Sequence, residues 1–313
     1  MFSEVRLGTI SVSDLETSQN FYRDAFGYLA KGAGVVRAED DVGRVGEAWM
    51  MPGGMTARFV VVGPAGCDSC LLRIVEFDAP GEPIWGDLPA GKVIGHYALN
   101  IRVPEIHTGW ERIVAAGGRI KSPPTHWNLR DGSAWDSQIY DPDGVLIDAW
   151  SVDGEIAERL GPATEPASEL QTMALHVAHA VRSKDFYLGF GYGVLYDQQV
   201  EGLEEFFGVP GGVVMHNVNL IMDHTPVGRM EMSQYLGYPG VEVKPRAVPP
   251  NHGILSVTFE VNDLEAASAQ VVGLGAEPIG GPATYDAPPF GQAVAATFFG
   301  PDGEMVEIFE RIG

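Results

Sequence analysis

Asp141-Pro-Asp-Gly-Val-Leu-Ile-Asp148 recurs as Gly300-Pro-Asp-Gly-Glu-Met-Val-Glu307, about 160 residues later in the chain. In each stretch Pro-Asp-Gly makes a tight turn, because Pro presets one turn dihedral and Gly accepts positive φ. An alternating run then reads as a strand. Outward from this pair, two further correspondences keep the same order and nearly the same spacing. His96-Tyr-Ala-Leu-Asn-Ile-Arg-Val103 resembles Ser256-Val-Thr-Phe-Glu-Val-Asn-Asp263, and Ile113-Val-Ala-Ala-Gly-Gly118 resembles Val271-Val-Gly-Leu-Gly-Ala276. Three matches at one offset identify a duplication.

Each half divides again. Val12-Ser-Asp-Leu-Glu-Thr-Ser-Gln-Asn-Phe-Tyr22 resembles Val177-Ala-His-Ala-Val-Arg-Ser-Lys-Asp-Phe-Tyr187, and each opens its own half. Four units follow, near residues 4–78, 93–152, 169–236 and 252–312. The expected domains are 1–152 and 169–313, joined by a linker at 153–168 that contains Gly161-Pro162 and Pro166. Leu7-Gly-Thr-Ile-Ser-Val12 alternates as a strand. Ser13 or Asp14 then caps a helix whose stripe holds Leu15, Phe21 or Tyr22, and Phe26.

Composition narrows the classes of function. The 313 residues are 45% hydrophobic and 20% charged, enough to fill ordinary cores. A net charge of −22 repels phosphate backbones and anionic membranes, which argues against nucleic acid and membrane partners. No run approaches the roughly 18 apolar residues of a membrane span, and Met1–Leu7 lacks the apolar segment of a signal peptide. The expectation is a cytoplasmic protein, monomeric or homodimeric, with a small-molecule substrate or ligand. Cys67 and Cys70 are spaced C-x-x-C, but a zinc site needs a second pair, and Gly63-Pro-Ala-Gly-Cys-Asp-Ser-Cys70 reads as a hairpin tip.

A βαβββ unit with an opening strand, a D-L-x-x-S-x-x-F-Y helix and a closing D-P-D-G strand resembles the vicinal-oxygen-chelate superfamily. That group includes glyoxalase I, bleomycin-type resistance proteins and extradiol dioxygenases. The resemblance implies an α+β fold in which four βαβββ modules pair into two cup-shaped half-barrel sheets with helices outside. It also implies that unit one pairs with unit two, and that opening and closing strands carry the site.

Strand alternation proposes what faces each cup. Gly95-His-Tyr-Ala-Leu99 is similar to a metal-binding strand of bacterial glyoxalase I. Its His96, with Glu76 and Asp148 at the carboxylate positions, is the expected ligand set for one divalent ion (Mn, Fe, Ni or Zn) in the N-terminal half. Leu7 stands where that family carries a fourth ligand. In the C-terminal half, Thr172 and Ser256 occupy the histidine positions of ring-cleaving dioxygenases. His176, Glu231 and Glu307 are the candidate acid–base residues, and Arg102, Trp127 and Tyr285 the candidate substrate contacts. The plainer readings are a relic site whose His96 bonds a neighbouring carboxylate, and a satisfied core His176. The leading expectation is a lyase- or isomerase-type enzyme that moves a proton on a small carbonyl or aromatic compound. The alternatives are a metal-free sequestration protein and a diverged extradiol dioxygenase-like enzyme.

Overall fold

The computed structural model describes residues 1–39, 45–129 and 132–312. Unit one comprises β1 (Phe2–Val12), α1 (Leu15–Phe26), β2 (Leu29–Arg37), α2 (Val45–Ala48), β3 (Thr56–Gly63) and β4 (Leu71–Phe77). Unit two comprises β5 (Val93–Arg102), α3 (Ile106–Ala115), β6 (Arg119–Leu129), β7 (Gly132–Tyr140) and β8 (Leu146–Gly154), with α4 (Glu155–Leu160) after it. Unit three holds β9 (Leu170–His176), α5 (Ala180–Leu188), β10 (Gly193–Val200), α6 (Glu204–Phe207), β11 (Val214–Met222) and β12 (Thr225–Leu236). After the short β13 (Val241–Glu242), unit four holds β14 (Gly253–Val261), α7 (Leu264–Gly273), β15 (Glu277–Asp286), β16 (Gln292–Phe299) and β17 (Met305–Arg311).

The four modules build two curled sheets, as the resemblance implies. Their pairing differs from the sequence expectation. One eight-stranded sheet runs β15-β16-β17-β14-β1-β4-β3-β2, and one nine-stranded sheet runs β10-β11-β12-β9-β5-β8-β7-β6. Unit one therefore shares a sheet with unit four, and unit two with unit three. The opening strands make the joins, β1 antiparallel to β14 and β5 antiparallel to β9. We call the sheet of units one and four the first cup, and that of units two and three the second.

The sequence halves survive as a different kind of contact. Asp141 Oδ2 accepts a hydrogen bond from Tyr22 OH (3.1 Å), and Asp143 accepts from Ser13 N and Ser18 Oγ (both 2.9 Å). In the second half Asp302 takes the Ala178 amide (2.8 Å) and the Ser183 hydroxyl, while Tyr187 OH reaches Glu304 Oε1 (3.0 Å). The recurring Phe-Tyr and Pro-Asp-Gly motifs are thus two sides of one clasp, which docks the closing turn of one unit on the helix of the preceding unit.

The convex faces share one core. Ile10, Phe26, Leu99, Ile113, Met173 and Phe259 belong to a single buried cluster that spans both sheets and their helices. The concave faces consequently point away from one another. Gly8 lets the sheets approach closely at the crossing, because a Cβ there would lie 2.9 Å from Leu170 Cδ1 and Met173 Sδ and make those side chains shift. The caps are local: Asp14 accepts from Thr17 N, and Asp263 from Ala266 N. Among the described residues no helix is long and apolar enough to cross a membrane. Both cysteines are free, and burial pushes the Cys67 thiol up to about 11.

Candidate functional site

The parallel pairing of opening and closing strands defines one equivalent central position in each unit. The registers are Thr9 opposite Arg73, Asn100 opposite Asp148, Ala174 opposite Glu231 and Thr258 opposite Glu307. Three of the four closing strands thus carry a carboxylate there, and the first carries a guanidinium.

In the first cup the two central groups are complementary. Arg73 and Glu307 pair at 3.2 Å, each about 2–3% exposed. Arg73 Nε also donates to Thr9 Oγ1 (3.0 Å), and Glu307 accepts from Trp49 Nε1 (3.0 Å), Tyr285 OH (3.1 Å) and Thr258 Oγ1 (3.3 Å). The guanidinium lies 4.6 Å over the Trp49 ring. Leu7, Phe59, Val75 and Phe309 pack around the pair, leaving a cavity of only about 20 Å³ beside it. This network occupies the centre of the first cup and supplies the hydrogen-bond partners of Arg73 and Glu307, so Glu307 and Tyr285 hold structure here. They are separated from His176 and Glu231, which lie in the other cup.

In the second cup the same two positions hold Asp148 and Glu231, which repel. Glu231 accepts from Asn217 Nδ2 (2.8 Å), Asn100 Nδ2 (3.2 Å) and Tyr196 OH (3.5 Å). Asp136, on β7, adds a third carboxyl. All three residues are half-buried. Burial, then the charge of Glu231, pushes Asp136 up to about 7. Burial, then Asp136 and Glu231, pushes Asp148 well above the usual carboxylate range, and burial raises Glu231 as well. Cations flank the group: Arg229 is buried beside Glu231, and burial lowers Lys121, near Asp148, to about 8.

The second cup also gathers polar atoms that have no protein partner. They include the side-chain oxygens of Asn100, Asp148, Thr172 and Asn219, the indole nitrogen of Trp150 and Arg102 Nε. Unpaired buried polar groups cost about 1–3 kcal/mol each, so this surface is built to meet something polar. Arg102 Nη1 is already tied to Gly161 O (2.7 Å), and Trp127 meets Phe206 edge-on at 5.4 Å.

His176 lies in this cup but is not poised for acid–base work. Its ring stacks on Tyr97 (3.5 Å), its Nε2 meets Tyr235 OH (3.1 Å), and burial lowers its pKa to about 3. It is a neutral wall residue, contrary to the expectation of a titrating histidine.

The expected metal set of Glu76, His96 and Asp148 is not formed. Glu76 lies on the convex face of β4, where Oε2 accepts the Leu15 amide (2.8 Å) and the carboxylate pairs with Arg58. Arg73, Val75 and Phe77 take the concave side of that strand instead. His96 is displaced by a bulge between His96 and Ala98 in the β5–β9 ladder, which shifts the alternation by one residue. Tyr97 therefore enters the second cup with Ala98, and His96 turns out to meet Met305 O (3.1 Å), with burial lowering its pKa to about 4. Only Asp148 of the three faces the second cup. Among the described residues no three His, Cys, Asp or Glu side chains converge as ion ligands, and a guanidinium occupies the centre of the first cup. These donor sets do not fit a divalent metal.

The sequence profile of the Glyoxalase/Bleomycin resistance protein/Dioxygenase superfamily matches residues 6–149 and 169–308. The chain belongs to this superfamily. Among solved structures, glyoxalase I from Zea mays is similar at 17% identity with a TM-score of 0.63, covering 98% of this chain and 92% of that one. A putative dioxygenase from Bacillus subtilis is similar at 12% identity with a TM-score of 0.55, covering 100% of this chain and 86% of that one. At such identities these likenesses speak for the vicinal-oxygen-chelate fold alone. No curated protein matches the sequence.

Asp136, Lys121, Arg229 and Tyr196 were missed by sequence reasoning. Three lie on β6, β7 and β10, outside the opening and closing strands that carry most of the expected site residues. Arg229 was legible in principle, since alternation places it on the same face as Glu231.

Proposed function

We propose that the second cup binds a small organic molecule and moves a proton on it, with Asp148 and Glu231 as the working pair. One observation supports this above all. At equivalent positions the first cup carries an attractive Arg73–Glu307 pair, while the second carries two carboxyls amid buried polar atoms that have no protein partner. Neighbouring carboxyls cannot all ionise cheaply, so near neutral pH one holds its proton while another is a base. That division supplies a donor and an acceptor to one ligand. Arg229 and Lys121 are placed to stabilise negative charge developing on a ligand oxygen. Trp127, Phe206 and Trp150 provide apolar wall.

The test is hydrogen exchange in D₂O, followed by NMR, across a panel of hydroxyketones, 2-oxo acids and phenolic ketones. The proposal expects deuterium to enter an acidic C–H position of at least one compound, and Glu231→Gln to slow entry about 100-fold or more. Saturable binding with neither exchange nor turnover throughout the panel would defeat it. That result would favour sequestration, which the aromatic walls also support.

A further inference from the structure

We infer that the seam between the two cups holds a second binding site, for a small planar anion of the aromatic carboxylate class. The inference is independent of the chemistry proposed for the second cup. A cavity of about 250 Å³ lies where the connector between units one and two meets the β7–β8 turn and the start of β14. Its walls include Ile84, Trp85, Tyr140, Leu146, Arg119 and His252. This is smaller than a typical drug-sized pocket and suits a single ring with one substituent.

Three observations select the ligand chemistry. First, Arg119 is an exposed guanidinium held 5.3 Å over the Tyr140 ring, and among the described residues it forms no ion pair or hydrogen bond. In a chain of 42 acidic and 20 basic residues, an uncommitted arginine at a cavity is a marked feature. Planar guanidinium recognises carboxylate through two parallel hydrogen bonds. Second, the one carboxylate in the wall, Asp143, directs both oxygens to Ser13 N and Ser18 Oγ and forms no ion pair with Arg119. Third, the aromatic wall is fixed before any ligand arrives. Trp85 stacks on Tyr97 at 5.7 Å and 12°, and Tyr97 stacks on His176. A fixed aromatic wall and a tethered cation spare the ordering cost of binding.

The seam shares the Tyr97 wall with the second cup, but Asp136, Asp148 and Glu231, which would repel an anion, are not among the residues that line it.

The experiment uses the full chain with benzoate as probe and benzyl alcohol as the neutral control. Binding is read by tryptophan fluorescence and confirmed by ligand-observed NMR. The inference expects saturable benzoate binding with a Kd on the order of 1 mM, benzyl alcohol at least about tenfold weaker, and a fluorescence change that disappears in Trp85→Phe. Arg119→Glu, an exposed substitution compatible with the fold, is expected to weaken benzoate at least about tenfold. Glu231→Gln is expected to leave benzoate affinity unchanged. Any one of four results overturns the inference: no saturation by about 20 mM, equal binding of the alcohol, wild-type affinity in Arg119→Glu, or loss of binding in Glu231→Gln, which would move the site to the second cup.

Discussion

Glu307→Gln and Glu231→Gln remove the same charge from equivalent positions in the two cups and are expected to change stability in opposite directions. Glu307 accepts from Arg73, Trp49, Tyr285 and Thr258, and its partner Arg73 is only 2% exposed. Removing the carboxylate charge leaves a buried guanidinium without its counter-charge, a loss of about 3–5 kcal/mol. For a chain of this size that corresponds to a fall of roughly 5–8 °C in Tm. Glu231 has Asp136 and Asp148 for neighbours, and removing its charge relieves repulsion. Asn217 and Asn100 donate to different oxygens of Glu231, so a glutamine keeps the bond from Asn217 and donates to Asn100 once that amide turns its unpartnered oxygen inward; a gain of about 1 kcal/mol is expected. The assay is thermal and urea unfolding of both variants at pH 7.5, followed by circular dichroism, with Arg73→Met/Glu307→Gln as a third arm to recover part of the loss. A Glu307→Gln protein as stable as wild type, or a Glu231→Gln protein destabilised to a similar degree, would refute the assigned asymmetry.

Other outcomes follow from particular contacts. Asp136 has a folded pKa of about 7 against an ordinary 3.8, so the folded chain holds that proton more tightly than the unfolded chain does. Its stabilising contribution is full below about pH 4 and is lost as pH rises through about 7. Discounted for its residual exposure, Asp136→Asn should gain about 1–2 kcal/mol over wild type between pH 4 and pH 8, readable from urea midpoints across that range. Glu76→Ala removes a helix-start acceptor and an exposed ion pair, so it should cost about 1 kcal/mol and leave ligand binding in either cup unchanged; a binding defect would restore it to a site. Tyr22→Phe cuts the clasp to Asp141 and should cost about 1–2 kcal/mol in unfolding experiments, whereas an exposed substitution on the same helix, Glu16→Gln, should stay within about 0.5 kcal/mol.

Alternation was a reliable guide wherever the ladder stayed regular. It placed Asp148, Glu231 and Glu307 on concave faces and Ile10, Leu99 and Ile308 on the convex core, because a strand residue's side is fixed by parity. It failed at His96, where one bulge reverses the parity, and at Glu76, where position in the strand suggested a ligand although Leu72 and Ile74 on the same parity are convex core. A bulge leaves little trace in local composition. The supporting side chains Asp136, Lys121 and Tyr196 come from neighbouring strands whose curl over the cup is a tertiary property.

The duplicated motifs, the four units and the turn that closes each half follow from the amino-acid order alone, since turn chemistry and periodicity are local. Which unit shares a sheet with which is not local. Any two opening strands with similar alternation present compatible edges, and the choice rests on how Gly8 lets the convex faces meet and how the Tyr22–Asp141 and Tyr187–Glu304 contacts clasp each half. That choice placed Arg73 against Glu307 and Asp148 against Glu231, and so decided that one cup is centred on an attractive ion pair while the other gathers like charges.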